Sequence, residues 1–201
     1  MGRPRKFDER DVMAAAYRQF SATGYHGTSV DDLSRATGLS KGSLYSAFGD
    51  KDALFRRVFD EYCADSDVSA AARLAGPEEQ ALDRLRDWLR APEEDCGDRT
   101  GCLLAKGTAE LARENEAVAA RSLAAHTTLL DSCRLLVEQA QRAGHVDPAA
   151  DAEALGGLIV ATHRGLEALG KAGVGAVTRN RIADAAIDSI SIAADQRRSD
   201  Q

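Results

Sequence analysis

The sequence predicts an all-α protein of about nine helices, on three observations. Apolar residues recur at helical spacing in segments bounded by capping residues and by Gly or Pro. No segment shows the β-branched alternation of a strand. Beyond residue 62 the chain is rich in Ala and Leu, the residues of closely packed helices.

The elements follow in order. Asp8 caps a helix running to about Thr23, with Gly24 as its stop and Val12, Ala16 and Phe20 as its core stripe. Thr28 followed by Asp31 resembles a capping box, with Asp in place of Glu. The helix it opens carries Val30, Leu33 and Ala36 inward and is broken by Gly38. Ser40 caps a third short helix containing Leu44. Asp50 caps a long fourth helix, with Leu54 and Val58 on one face and Phe55, Phe59 and Tyr62 on another. Gly76-Pro77 starts a helix through Trp88, and 92–100 is a polar, acidic loop. A short helix spans about Gly101 to Arg113, and Asn115 caps a long one ending at Gly144. Asp147-Pro148 opens another to about Gly170, and Thr178 opens the last, to about Ala194. The polar tail Asp195–Gln201 is expected to fray.

Charge and aromatics divide the chain. The net charge of −6 splits into +1 over residues 1–62 and −7 over residues 63–201. Nine of the ten aromatic residues lie in 7–62, and only Trp88 lies beyond. A short segment needs large side chains to fill a small core, so a small N-terminal unit joined to a larger helical one is expected. A boundary at residue 50 separates a basic N-terminal part, 1–50, from a larger helical part, 51–201.

Several classes are set aside. No apolar h-region follows Met1, so a secretory signal is not expected. The longest stretch without an ionisable residue in the C-terminal half, Ala154–Thr162, falls far short of the ~20 residues of a membrane span. Four irregularly spaced cysteines make neither a disulfide framework nor a zinc signature. The expected compartment is the reducing cytoplasm. No metal and no cofactor are expected, since His126 and Cys133, seven apart, have no close companion ligand.

The main finding is a pair of short helices joined at Ala36-Thr37-Gly38-Leu39. A helix-turn-helix needs a tight turn, and glycine tolerates positive φ there. The second helix would offer Lys41, Gly42, Ser43, Tyr45 and Ser46 to a major groove. Lys41 reaches a guanine edge or a phosphate, Gly42 permits close backbone approach, and the Ser43 and Tyr45 hydroxyls reach phosphate oxygens. Lys51 and Thr28 stand at helix starts suited to phosphate. Arg3, Arg5 and Lys6 suit an arm along the backbone or in a minor groove. The competing reading is a helical hairpin in an ordinary bundle, with Lys41 and Lys51 as solvated surface.

Residues 7–59 resemble the DNA-binding domain of the TetR/AcrR (tetracycline-repressor) family. The resemblance is carried by Ala15, Phe20, the run Gly24-Tyr25-His26-Gly27-Thr28-Ser29-Val30, the run Gly38 to Tyr45, and Phe48-Gly49-Asp50-Lys51-Asp52-Ala53-Leu54. It implies a homodimeric transcriptional regulator, usually a repressor, on a palindromic double-stranded DNA operator. By resemblance Lys41, Gly42, Ser43 and Ser46 face bases, and Thr28, Tyr45 and Lys51 hold phosphates. Ala47 stands where many members carry His.

One helix-turn-helix reads few base pairs, so two copies are expected to act together. The expected dimer face combines Leu155, Leu158, Ile159, Thr162, Leu166 and Leu169 with Ile182, Ala186, Ile190 and Ala193. Gly156, Gly157 and Gly165 would allow close approach; the alternative is that these faces bury themselves within one protomer. The resemblance also implies an effector cavity among the middle helices. Candidates for contacting the unknown small molecule are Trp88, Cys102, Glu110, His126, Cys133, His163 and Arg164. Gly101-Cys102-Leu103-Leu104 is similar to a segment of a subgroup in which this cysteine responds to electrophiles or oxidants. A helix N-terminus stabilises thiolate, the reactive form. Lys106 stands where those sensors more commonly carry Asn, and a small buried core cysteine is the competing reading. Two other functions compete with that of a regulator: a helical interaction module that binds no DNA, and an enzyme with Cys102 as nucleophile and His126 or His163 as base. The second lacks an oxyanion loop, a phosphate-binding glycine motif or paired carboxylates, so the chain is expected not to be an enzyme.

Overall fold

The computed structural model describes residues 7–90 and 102–192. Among them are nine α-helices and no strand: α1 (Glu9–Thr23), α2 (Val30–Thr37), α3 (Lys41–Phe48), α4 (Lys51–Leu74), α5 (Ala81–Leu89), α6 (Leu103–Leu111), α7 (Glu116–Arg142), α8 (Ala152–Lys171) and α9 (Ala176–Ile190). None is long and apolar enough to cross a membrane.

The chain forms two compact units, one of residues 1–65 with 100–124 and one of residues 66–99 with 125–201. The divisions fall inside α4 and α7, and α6 joins the N-terminal helices, so the grouping does not follow a single cut at residue 50.

The first unit is filled by rings. Phe20 of α1 meets Phe55 of α4 edge to face at 5.0 Å, Tyr25 meets Phe55 at 5.1 Å, and Phe55 stacks on Phe59 at 5.6 Å. Val12, Ala16, Leu33, Leu44 and Leu54 pack around them, all buried. α6 approaches through Gly107, where an added Cβ would lie 2.5 Å from the Phe59 ring and 3.3 Å from Phe55. Asn115 caps α7, its Oδ1 accepting from the Val118 N–H at 3.2 Å, while its Nδ2 donates to Asp52 at 2.9 Å.

The second unit is aliphatic. Leu82, Leu85, Leu136, Val137, Val146, Ile159, Val160, Leu166 and Ile187 make its core, with Trp88 the one ring among them. α7 and α8 cross closely at Gly156, whose added Cβ would stand 2.7 Å from the Arg134 backbone nitrogen. Arg86 of α5 and Arg90, its C-cap, pair with Asp184 of α9 at 3.3 and 2.8 Å.

Five local expectations are corrected. The α2 capping box is Ser29 with Asp32, one residue later than Thr28 with Asp31, because the Thr28 hydroxyl is buried and donates to the Gly24 carbonyl at 2.6 Å. Ala36 is exposed, leaving Leu33 as the buried residue of α2. Pro77 precedes a 3₁₀ turn, Glu78–Gln80, before α5 starts at Ala81. α8 starts at Ala152 with Asp151 as its cap; Asp147 instead closes a turn, accepting from the Ala149 N–H at 2.8 Å. α9 begins before Thr178 and ends at Ile190, where Ser191 turns extended.

Candidate nucleic-acid interface

The helix-turn-helix is built from side-chain bonds that leave one face unused. Gly38 ends α2 in the left-handed region, φ 70° and ψ 7°, where a Cβ would be strained. Ser34 donates to the Leu39 carbonyl at 2.5 Å and Thr37 to the Leu33 carbonyl at 2.7 Å, closing the turn from both sides. Ser40 then caps α3, accepting from the Ser43 N–H at 3.2 Å. Leu44 and Phe48 face inward and are buried. Lys41, Gly42, Ser43, Tyr45 and Ser46 all stay exposed, and Tyr45, at 48% exposed, is a large side chain left in water. No atom lies within 4 Å of a Cβ added at Gly42. A glycine within a helix costs about 1 kcal/mol against Ala. Nothing within the fold requires one here, which fits a surface approached from outside.

Lys41 is not idle. Its Nζ lies 2.7 Å from the Asp31 carboxylate, which raises its pKa above the ordinary lysine value, through the hydrogen bond first and the charge second. The sequence offers Asp31 only as a capping-box partner of Thr28; a carboxylate on α2 facing the start of α3 shows only once the turn angle is known.

Lys51 and Thr28 take other roles than expected. The Lys51 ammonium donates to the Tyr25 and Thr28 carbonyls, each at 3.0 Å, and sits 4.0 Å above the Tyr25 ring. The Thr28 hydroxyl shares a 2.8 Å bond with Thr23 beside its bond to Gly24. Both side chains are engaged inside the unit rather than turned to a phosphate. Arg3, Arg5 and Lys6 lie outside the described residues.

Comparison with known proteins decides the family. Residues 12–58 match the profile described as "Bacterial regulatory proteins, tetR family" and residues 79–184 match "Tetracyclin repressor-like, C-terminal domain". The chain belongs to the TetR family. It is similar to the HTH-type transcriptional repressor ComR of Escherichia coli, 28% identical over 153 residues, 75% of this chain and 73% of that one. It is also similar to the E. coli repressor BdcR, 31% identical over 53% of this chain and 55% of that one. Among solved structures, a TetR-family regulator from Chloroflexus aurantiacus is 26% identical with a TM-score of 0.76, covering 92% of this chain and 96% of its own. A cysteine-substituted form of the regulator CifR, crystallised with 26-base-pair operator DNA, is 25% identical with a TM-score of 0.75 over 92% of this chain and 98% of that one.

This TetR-family chain is thus a helix-turn-helix, DNA-binding transcriptional regulator. Its effector candidates fall in both compact units. In the first, Cys102 is half-buried at the N-cap of α6, and its sulfur accepts from the Tyr62 hydroxyl at 3.2 Å. Glu110, on the same helix, accepts from the His26 backbone N–H at 2.9 Å. Gly101 lies outside the described residues. In the second, Trp88 and His163 are brought together, their rings stacked at 4.0 Å and 7°. Burial there lowers the His163 pKa to about 4. Arg164 beside it pairs with Glu167 at 2.7 Å. Cys133 is fully buried, which pushes its thiol up to about 12 and makes it a core residue. His126 is half-buried on α7.

The proposed dimer face is only partly outward. Ile159 and Leu166 are buried in the second unit's own core, and Leu155, Ala186 and Ile190 pack against it. That removes Ile159 and Leu166 from the expected dimer face, because the stripe read from the sequence lies one position around α8, while Leu155, Ala186 and Ile190 are only partly covered. Leu158, Leu169 and Ile182 remain exposed, Thr162 is half-buried, and Ala193 lies outside the described residues. On α8 the outward stripe is Ala154, Leu158, Ala161, Gly165 and Ala168.

Proposed function

We propose that this chain acts as a homodimeric repressor that grips a palindromic operator and releases it when a small molecule binds or Cys102 is modified. Residues 1–50 carry the basic arm and the reading head, and 51–201 carry effector binding and dimerisation. The single observation behind the reading is α3: eight residues, two buried anchors, and five residues on the opposite side that all stay exposed. Lys41, Gly42, Ser43 and Ser46 face bases, and Tyr45 reaches a phosphate. Lys51 and Thr28 serve that face by holding the turn before α2. Arg3, Arg5 and Lys6 follow the backbone or a minor groove.

The dimer forms through α8 and α9, with Leu158, Leu169 and Ile182 at its centre. Its two heads stand near one helical turn apart or slightly more. The Gly-Cys-Leu-Leu segment is read as that of a cysteine-responsive subgroup, with Cys102 as the residue modified. A differential affinity of a few kcal/mol between two states is enough for release. The protein is read as a regulator and not an enzyme, as its relatives are.

The test is selection of bound duplexes from random DNA by the full chain, repeated after N-ethylmaleimide treatment. Enrichment of an inverted pair of half-sites is expected, lost on treatment and retained in treated Cys102→Ser. No enrichment in any arm overturns the DNA reading. Enrichment that survives treatment overturns the cysteine switch alone.

A further inference from the structure

We propose that Lys106 and Glu110 are positioning residues for DNA reading: from one face of α6 they hold the end of α1 and the turn that aims α2 and α3. The proposal rests on the assignment of α3 as the reading helix. Helix α1 ends with no basic residue in its last turn. Its terminal carbonyls lack intrahelical partners and need donors from elsewhere. The Lys106 ammonium supplies one, donating to the Ser21 and Ala22 carbonyls, the second at 3.1 Å. One turn further along α6, the Glu110 carboxylate accepts from the His26 N–H at 2.9 Å. It occupies the space where a Cβ on Gly24 would project, and Gly24 itself has φ 78°. Gly24 is therefore required twice over, by its backbone angle and by the carboxylate packed against it.

The turn 24–28 is gripped from both sides. Glu110 takes its N–H at residue 26, and Lys51 takes its carbonyls at residues 25 and 28. It leads directly into Ser29, the cap of α2, and α3 follows through the fixed angle at Gly38. A third contact, Gly107 against Phe59, keeps α6 close to α4 between the two charged residues. The position of α6 thus sets where α2 begins, and that sets where α3 points.

Base contacts need α3 in one place, whereas contacts to phosphate tolerate displacement. The double variant Lys106→Met/Glu110→Leu removes the donor and the acceptor together with one positive and one negative charge, so the net charge is unchanged. Its affinity is measured by fluorescence anisotropy for a duplex selected by the wild type and for a scrambled duplex of equal length. The ratio of the two affinities is expected to fall roughly tenfold, the scale of one weakened base contact, with scrambled-duplex affinity unchanged. Lys106→Arg, which keeps a cationic donor, should retain the wild-type ratio. Equal losses on both duplexes, no loss on either, or a Lys106→Arg as defective as the double variant overturns the proposal. If the double variant does not fold, Glu110→Leu alone, which leaves no acceptor for the His26 N–H, is read by amide hydrogen exchange. The His26 amide must then exchange faster than in the wild type, and unchanged exchange overturns the proposal. A wild type that selects no duplex fails the DNA reading itself, a result separable from the rest.

Discussion

The first compact unit is filled with rings and the second with aliphatic side chains, and the two hold their helices in different ways. In the first, Phe20, Tyr25, Phe55 and Phe59 meet edge to face or stacked within 5.0 to 5.6 Å. Three short helices, two of them eight residues long, gain a rigid centre from few residues. In the second, long helices pack by close approach, as where Gly156 lies against the α7 backbone. The ring-filled unit depends on a few irreplaceable side chains. The aliphatic one spreads the same burden over many.

The sharpest way to break this contrast is Phe55→Ala. Phe55 is fully buried and touches three other rings, so its loss should cost about 3–5 kcal/mol. Urea unfolding measures it. A cost near that of a typical surface substitution, within about 0.5 kcal/mol, would show that the rings are not the organising element.

A smaller effect tests the stacked ring pair of the second unit. His163, stacked on Trp88, has a folded-state pKa of about 4, below the ordinary 6.5. The unfolded chain therefore binds more protons between those values. The stability tied to the neutral ring is fully present above about pH 6.5 and is lost as pH falls toward 4, by about 3 kcal/mol at most. His163→Phe should flatten this part of the profile. Equal acid sensitivity in the wild type and the variant would show that the ring is not held neutral.

The two units also differed in how far the sequence could be read. α1, the Gly38 turn, the Ser40 cap and the outward set on α3 were legible because their causes are local: a cap, a positive-φ glycine, a buried Leu44. The α8 face was misread because Ala- and Leu-rich helices offer several apolar stripes. Only packing against α7 and α9 decides that Ile159 and Leu166 go inside and Leu158 stays out. Lys51 was legible as a cation near the DNA face, but its partners are backbone carbonyls more than twenty residues away, which no spacing rule reveals. Lys106 and Glu110 belong to the same class, tied to residues of α1 and its turn across more than eighty positions.

Lys51 yields a prediction below those in size. Lys51→Met removes two hydrogen bonds to carbonyls and the contact with the Tyr25 ring, so the loss should be mainly of stability, about 1–3 kcal/mol. The slope of DNA affinity against salt should stay as in the wild type. A slope shallower by about one ion would return Lys51 to a phosphate.

The smallest expected change pairs two helical glycines, one from each unit. Alanine is favoured over glycine in a helix by about 1 kcal/mol, so both Gly42→Ala and Gly156→Ala start from the same gain. At Gly156 the new methyl meets the Arg134 backbone nitrogen at 2.7 Å, which a flexible side chain cannot relieve, and overpacking of about 1–3 kcal/mol reverses the sign. At Gly42 the methyl enters open space, so Gly42→Ala should raise thermal stability slightly. The same methyl would stand between the α3 backbone and a groove edge, so affinity for the selected duplex should fall while the melting temperature rises. That opposition is what distinguishes a glycine kept for a partner from one kept for the fold. If Gly42→Ala gains stability and binds unchanged, DNA does not come close to the first turn of α3, and the reading set shifts toward Tyr45 and Ser46.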